Sequence, residues 1–368
     1  MKKLSIKEKI AFGFIFNEHR VYKYMYTRFL ICSVSLDRIR RVVSRIKNWY
    51  SWCSEWSKEG DLLEKLAHDH LLKENIYTAR CLFHEAAGCF HIGEHFFYID
   101  PEQKNKAQEK VRIIYKKALD LYQEDNRPSV INIPFSKTVI PGYLWKAKQI
   151  DSPLIILING MDNLKEVENH CWSKLLSENG FNVYTFDGPG QGEMWKNMKY
   201  TPDYHKAVSA IIDWFLENNI NIDCSRIAAL GFSLGGYLAP LAAAYDNRIS
   251  CAVGDGGPAY SSCFLNQKKV NPIFIKGFPY ITGVDNYKES IAKLGLDIKT
   301  APPMDRPLLI IHSGDDKLIP NGKEHAEYFM NWAAGEKELK FYPDGDHVCA
   351  NYLDEIFPYI LDWFKKHL

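Results

Sequence analysis

Two rhythms of hydrophobic positions divide the chain. From Ser5 to about Gln123 apolar residues recur at helical spacing. Asp61-Leu-Leu-Glu-Lys-Leu-Ala-His-Asp-His-Leu-Leu places its leucines this way, and so does Val111-Arg-Ile-Ile-Tyr-Lys-Lys-Ala-Leu-Asp-Leu-Tyr. Pro101 marks a helix start after a break, because proline is tolerated in a first turn. After Pro128 the pattern changes. Short apolar runs (Leu154-Ile-Ile-Leu-Ile, Val183-Tyr-Thr-Phe, Arg226-Ile-Ala-Ala-Leu, Cys251-Ala-Val, Leu308-Leu-Ile-Ile) alternate with helical patterns such as Tyr204–Asn218 and Leu234–Tyr245. Runs apolar at nearly every position are strands buried on both faces, which predicts an α/β domain with a mostly parallel, doubly wound sheet and helices on both sides. The expected organisation is a helical N-terminal domain over 1–126 and an α/β domain over 127–368. From about Tyr260 to Leu296 aromatics, glycine and proline interrupt the alternation; this stretch reads as an excursion over the catalytic face or as a long connection.

One turn carries a chemical signal. Gly231-Phe-Ser-Leu-Gly-Gly follows the apolar strand ending at Leu230 and opens the helical stretch Tyr237-Leu-Ala-Pro-Leu-Ala-Ala-Ala. In that strand–helix context G-x-S-x-G is a nucleophile elbow, the signature of the α/β-hydrolase fold. Gly231 and Gly235 let the chain turn sharply while Ser233 projects its hydroxyl from the sheet edge. The helix beginning at Leu234 aims backbone N–H groups and its positive dipole end at the same place.

A serine hydroxyl needs a base to take its proton, and in this fold the order along the chain is Ser, acid, His. Leu309-Ile-Ile-His-Ser-Gly-Asp-Asp-Lys-Leu-Ile-Pro is a buried strand running into an acidic turn, and Asp316 is the expected acid, with Asp315 as the alternative. Phe341-Tyr-Pro-Asp-Gly-Asp-His delivers His347 after a second short strand and a glycine turn. An oxyanion hole needs two backbone N–H groups aimed at developing charge. Leu234, directly after the nucleophile, is expected to give one. Met161, in Asn159-Gly-Met-Asp-Asn after the Leu154–Ile158 strand, is expected to give the other, with Gly160 permitting the turn.

Composition narrows the partners. The 368 residues are 46% hydrophobic and 25% charged with a net charge of +1, so a large core needs no disulfide or metal to hold it, and no basic block points to nucleic acid or an anionic membrane. The nine cysteines are scattered, with no C-x-x-C pair and no zinc-like spacing, which suggests free thiols in a reducing, cytoplasmic setting. The charged opening Met-Lys-Lys-Leu-Ser-Ile-Lys-Glu-Lys and the short apolar run Ile10–Phe16 do not read as a signal peptide. No segment reaches the roughly 18 apolar residues of a membrane span.

With these residues placed, a family resemblance is visible. Phe186-Asp-Gly-Pro-Gly-Gln-Gly-Glu-Met, Gly160-Met-Asp-Asn-Leu-Lys-Glu, Gly231-Phe-Ser-Leu-Gly-Gly-Tyr and Gly345-Asp-His-Val-Cys together resemble the dihydroxypseudooxynicotine hydrolase group. Fungal hydrolases that shorten polyketide chains and the fermentation–respiration switch protein are similar. The likeness extends into Arg40-Arg-Val-Val-Ser-Arg-Ile, Trp49 to Trp56, and Ala79 to Tyr98. It implies a helical domain against an α/β-hydrolase core, the triad Ser233, Asp316 and His347, and a small-molecule substrate. Some members of the group cleave a carbon–carbon bond beside a ketone and others act as esterases; a homodimer is also compatible with the likeness. The loop Asp255-Gly-Gly-Pro-Ala-Tyr departs from the bulkier, tryptophan-containing version in the nicotine-degrading member.

Other residues have more than one reading. His91 and His95 have metal-like i,i+4 spacing, but His84-Glu-Ala-Ala-Gly lacks the second His of H-E-x-x-H, and no metal or other cofactor is expected. The family places this helix over the active site, so the resemblance implies substrate-facing roles for His84, Glu85 or His91. Trp49, Tyr50, Trp52 and Trp56 form either an aromatic wall or ordinary packing. Glu193, at a strand end, holds a loop or polarises substrate. Gly188-Pro-Gly-Gln-Gly lacks nucleotide-loop spacing. The expected activity is serine-dependent hydrolysis through an acyl-enzyme, at a carbon–carbon bond or an ester of a small aromatic or polyketide-like metabolite. The alternatives are an acyltransferase or cyclase using the same triad, and a catalytically silent binding protein.

Overall fold

The computed structural model describes residues 28–29, 31–218, 222–265 and 272–368. The opening segment through the Ile10–Phe16 run lies outside the described residues, as does the 266–271 part of the Tyr260–Leu296 stretch. The chain separates into two compact units. One is helical and runs to Arg127, with Glu166–Glu168 and the described part of Asn271–Gly277. The other holds the sheet.

In the helical unit α1 (Leu36–Arg45), α2 (Trp49–Leu71), α3 (Ile76–Glu94) and α4 (Pro101–Leu119) follow one another. Side-chain caps set the starts of α2 and α4. The Asn48 side chain accepts from the Ser51 amide at 3.2 Å in a capping box. Asp100 does the same for the Gln103 amide at 3.1 Å, with Pro101 in the first turn as the sequence predicts. Trp49, Trp52 and Trp56 lie on one face of α2, ring centroids 5.2 and 5.9 Å apart, and are buried. Tyr50, on another face, is exposed. Packing therefore accounts for the three tryptophans. Glu59, with its side chain 1% exposed, receives Arg38 at 2.6 Å, Arg45 at 2.7 Å and also Arg41, which ties α1 to α2.

The second unit is an eight-stranded sheet ordered β1-β2-β4-β3-β5-β6-β7-β8. Its strands are β1 (Ser129–Phe135), β2 (Thr138–Trp145), β3 (Pro153–Ile158), β4 (Asn182–Phe186), β5 (Asp223–Phe232), β6 (Ile249–Asp255), β7 (Leu308–Ser313) and β8 (Lys337–Tyr342). From β4 to β8 all neighbours are parallel; β1 and β2 form an antiparallel hairpin on β4. The five apolar runs of the sequence are β3 to β7, five of the six parallel strands, and every residue of β3 and β7 is buried. The apolar runs do not predict the antiparallel hairpin. Four of the seven residues of β1 are exposed, as suits an edge strand, and β2 carries Pro141 and Gly142 within its run.

The helices of this unit are α5 (Glu168–Glu178), whose first residue groups with the helical unit, α6 (His205–Asn218), α7 (Leu234–Tyr245), α8 (Pro272–Thr282), α9 (Tyr287–Leu294), α10 (Gly322–Trp332) and α11 (Leu353–His367). The Tyr260–Leu296 stretch thus carries two helices, with the first residues of α8 grouping with the helical unit. From β3 the chain crosses to β4 on one side, then returns past β3 to β5 on the other. Ligands of open α/β sheets bind beyond the carboxyl ends of strands at such a reversal. The turns after β3 and β5 flank it.

Candidate functional site

Ser233 stands between β5 and α7 with φ 57° and ψ −122°, a left-handed conformation that costs a side chain of this kind about 1–3 kcal/mol. The surroundings enforce it. The Ser233 amide donates to the Asp255 carbonyl at 2.8 Å, and the Gly236 amide donates back to the Ser233 carbonyl at 2.8 Å. A Cβ on Gly231 would lie 2.0 Å from the Gly235 carbonyl oxygen, and one on Gly235 would lie 2.3 Å from that of Ile158. Both contacts are too short for any side chain, so the G-x-S-x-G spacing is a packing requirement of this turn.

His347 follows β8 in a loop pinned by two reciprocal bonds, Asp346 amide to Asn351 Oδ1 at 2.9 Å and Asn351 amide to Asp346 Oδ1 at 3.2 Å. Val348 and Cys349 both take positive φ, 54° and 45°, a conformation that strains a β-branched valine. The ring of His347 links two partners. Nε2 is 2.9 Å from Ser233 Oγ and Nδ1 is 2.8 Å from Asp316 Oδ2. The other oxygen of Asp316 accepts from the amides of Leu318 at 2.8 Å and Ile319 at 2.9 Å. Burial would push this carboxyl up, but His347 and the two amides outweigh it and hold Asp316 below the ordinary carboxylate range. Asp315, the alternative acid, is about half exposed and pairs with Lys317 instead.

Gly160 lies directly against the serine, with Met161 next in the chain. A Cβ on Gly160 would be 3.3 Å from Ser233 Cβ and 3.9 Å from its Oγ. Among the described residues neither the Met161 nor the Leu234 amide donates to a protein acceptor, so both are free to meet a ligand oxygen. The structure also brings in residues that the sequence reading assigned no part at this site. Gln191, buried, donates from Nε2 to the carbonyls of Asn159 at 2.7 Å and Gly160 at 2.9 Å. Asp187 accepts from Asn159 Nδ2, the Lys165 amide and Lys165 Nζ, each at 3.0 Å. The available signal was the run Asp187-Gly-Pro-Gly-Gln-Gly-Glu itself, three polar side chains set among glycines at a strand end. Glu193 accepts from Lys165 Nζ at 3.0 Å and its amide donates to Asp187 at 2.9 Å, an arrangement that holds the loop. Asp255, buried with neither oxygen partnered among the described residues, is pushed well above the carboxylate range by burial and by Asp316 and Asp346.

The remaining candidates lie in the helical unit. His84 Nε2 meets the Tyr122 hydroxyl at 3.1 Å, and Glu85 accepts from Arg38 at 2.8 Å and the Ser35 hydroxyl at 3.0 Å. His91 is buried between Glu94 at 2.8 Å and Glu168 at 3.3 Å. His91, Glu94 and His95 hold ligand-type atoms within 4.8 Å of one another. Lys104 pairs with Glu94 and Arg28 pairs with Glu168 at 3.0 Å, so cations already neutralise the carboxylates that a metal would need. None of the nine cysteines is joined in a disulfide. No helix among the described residues is long and apolar enough to cross a membrane.

Comparison with known proteins agrees with this architecture. A family model described as alpha/beta hydrolase fold matches residues 153–288. The 2,6-dihydropseudooxynicotine hydrolase of Paenarthrobacter nicotinovorans is 28% identical over 82% of this chain and 79% of its own length. Hydrolase ORFZ of Pyricularia oryzae is 31% identical over 62% of this chain, which spans 57% of that relative's length. A crystal structure of 2,6-dihydroxy-pseudo-oxynicotine hydrolase superposes with a TM-score of 0.83 at 24% identity, covering 93% of this chain and 95% of the other. The chain is a hydrolase of the α/β-hydrolase fold. Within that fold it resembles the dihydropseudooxynicotine hydrolase and a set of fungal hydrolases.

Proposed function

We propose that this hydrolase cleaves a carbonyl compound through an acyl-enzyme on Ser233, with His347 as base, Asp316 as orienting acid, and the Leu234 and Met161 amides as the oxyanion hole. The observation that carries the reading is the unbroken hydrogen-bonded line from Ser233 Oγ through His347 to Asp316. His347 takes the serine proton as Oγ attacks the carbonyl carbon, and the negative charge gathers on the carbonyl oxygen between the two amides. Collapse breaks the bond to the leaving group, which takes the electron pair and receives the proton from His347. Water, activated by the same imidazole, then attacks the acyl carbon and frees Ser233. Asp316 accepts at Nδ1 and so keeps Nε2 the proton-accepting nitrogen.

Either a carbon–carbon bond beside a ketone or an ester fits these steps. A carbon leaving group must hold the electron pair until it is protonated, so an aromatic or β-dicarbonyl neighbour is required. The substrate class is a small aromatic or polyketide-like metabolite, as the resemblance implies. The scattered cysteines, without a C-x-x-C pair, support a cytoplasmic setting. The test is mass spectrometry of the protein and Ser233→Ala with aryl esters, thioesters and β-diketones. Ser233-dependent cleavage or an acyl adduct supports the reading, and the reacting class identifies the bond. Turnover that survives Ser233→Ala contradicts it.

A further inference from the structure

We infer that Gln191 is a positioning residue for the oxyanion site: it turns the Gly160–Met161 peptide so that the Met161 amide faces the oxygen of the carbonyl attacked by Ser233. The inference rests on the acyl-enzyme reading and supplies the means by which its second oxyanion donor is aimed.

The geometry leaves the Gln191 amide one orientation. Its nitrogen meets two carbonyls, Asn159 at 2.7 Å and Gly160 at 2.9 Å, which can only accept. Its oxygen meets the Gly188 amide at 3.2 Å, which can only donate, and the Tyr204 hydroxyl at 2.7 Å. All the hydrogen-bonding capacity of the side chain is therefore used, and a flipped amide would oppose like groups at several contacts. The backbone is fixed as well, because the Gln191 amide donates to the Gly188 carbonyl at 2.9 Å. Tyr204 is itself buried, and burial pushes its phenol well up, so it stays a neutral donor.

Fixing the Gly160 carbonyl fixes the amide on the same peptide. The peptide is trans, so its N–H, that of Met161, points away from the carbonyl and hence away from Gln191. Gly160 stands within van der Waals distance of Ser233. Asp187 braces the same loop at both ends, through the Asn159 side chain and the Lys165 amide. A donor that keeps its place before the oxyanion forms needs no reorganisation during the reaction, which is the source of oxyanion-hole catalysis. The Gln191 side chain supplies that rigidity.

The test compares Gln191→Glu and Tyr204→Phe with the wild type on an aryl ester and with an arylboronic acid, whose tetrahedral Ser233 adduct places an oxygen in the hole. Active sites are counted by fluorophosphonate labelling run to completion. Glutamate retains the acceptor for Tyr204 and Gly188 but loses both donors to the 159–160 carbonyls. For Gln191→Glu the expected result is a fall in kcat per labelled site of about 10- to 100-fold, less than the about 10²–10³ for losing an oxyanion donor outright. KM stays near the wild-type value, and boronate affinity falls in parallel with kcat/KM. Tyr204→Phe moves the same quantities in the same direction by less. Unchanged kcat per labelled site, with only fewer labelled sites, makes the residue purely structural and overturns the inference. If Gln191→Glu does not fold, Tyr204→Phe decides: a weakened boronate with unchanged KM supports the inference, and an unaltered ratio of the two overturns it. A wild type that neither turns over an ester nor binds the boronate strikes at the acyl-enzyme reading itself and removes the inference with it.

Discussion

Ser233 and His347 lie 114 positions apart in the chain, yet Oγ and Nε2 meet at 2.9 Å, and each side belongs to a locally strained backbone. The serine has φ 57°, and the residues after the histidine, Val348 and Cys349, have φ 54° and 45°. Backbone strain of this kind clusters at active sites, where the surrounding structure holds it in place.

Replacing the serine separates strain from chemistry. Ser233→Ala is expected to lose on the order of a million-fold in kcat while the fold persists. Ser233→Gly should be equally inactive but about 1 kcal/mol more stable than Ser233→Ala in urea unfolding, because glycine takes positive φ without a Cβ clash. Equal stability of the two variants would show that the turn does not strain the serine.

The two adjacent acids should behave differently. Asp316→Asn keeps the shape but favours the wrong histidine tautomer, and a loss of about 10⁴ in kcat is expected. Asp315→Asn should stay within a few-fold of wild type, since Asp315 pairs with Lys317 at the surface. If the Asp315 variant is the crippled one in steady-state assays, the acid is misassigned.

In the helical unit, Glu59 is held down to about 2: burial opposes this, but Arg45, Arg41 and Arg38 outweigh it. A depressed carboxyl contributes stability above its unfolded pKa, about 4.3, and loses it as pH falls towards 2. Glu59→Gln should cost about 2–3 kcal/mol at neutral pH, somewhat below the range for breaking a fully buried pair because Arg41 and Arg45 reach water. It should also remove the acid-sensitive step of helical unfolding followed by circular dichroism.

His91 predicts the opposite slope. Burial lowers its affinity for a proton, but hydrogen bonds and charge from Glu168 and Glu94 prevail and raise it to about 9. A raised group contributes its stability in full below the unfolded pKa, about 6.5, and loses it as pH climbs through about 9. Chemical unfolding should therefore show stability falling by on the order of 2–3 kcal/mol over that window. In His91→Gln the fall should be much smaller; an undiminished slope would mean that another group titrates.

Much of this architecture was legible in the sequence because it rests on short-range rules. Doubly buried strands must be apolar at nearly every position, which disclosed β3 to β7. Pro101 at the first turn of α4 and the glycines around Ser233 report close constraints on the backbone. The β1–β2 hairpin escaped because an edge strand carries polar residues and its pairing is set by β4, distant in sequence. Gln191 escaped for a related reason: its function lies in carbonyls some thirty positions upstream, and backbone acceptors leave no mark on residue type. His91 has metal-like spacing in sequence, and only the structure brings Glu168 and Lys104 into the same cluster.

The central claim, that Ser233 is a nucleophile activated by His347, is tested most directly by treating the folded protein with a fluorophosphonate probe and locating the adduct by peptide mass spectrometry. The account predicts one adduct, on Ser233, formed rapidly in the wild type, slowed by orders of magnitude in His347→Ala and absent in Ser233→Ala. An intact protein that stays unlabelled, or labels elsewhere at the same rate in all three forms, would contradict it.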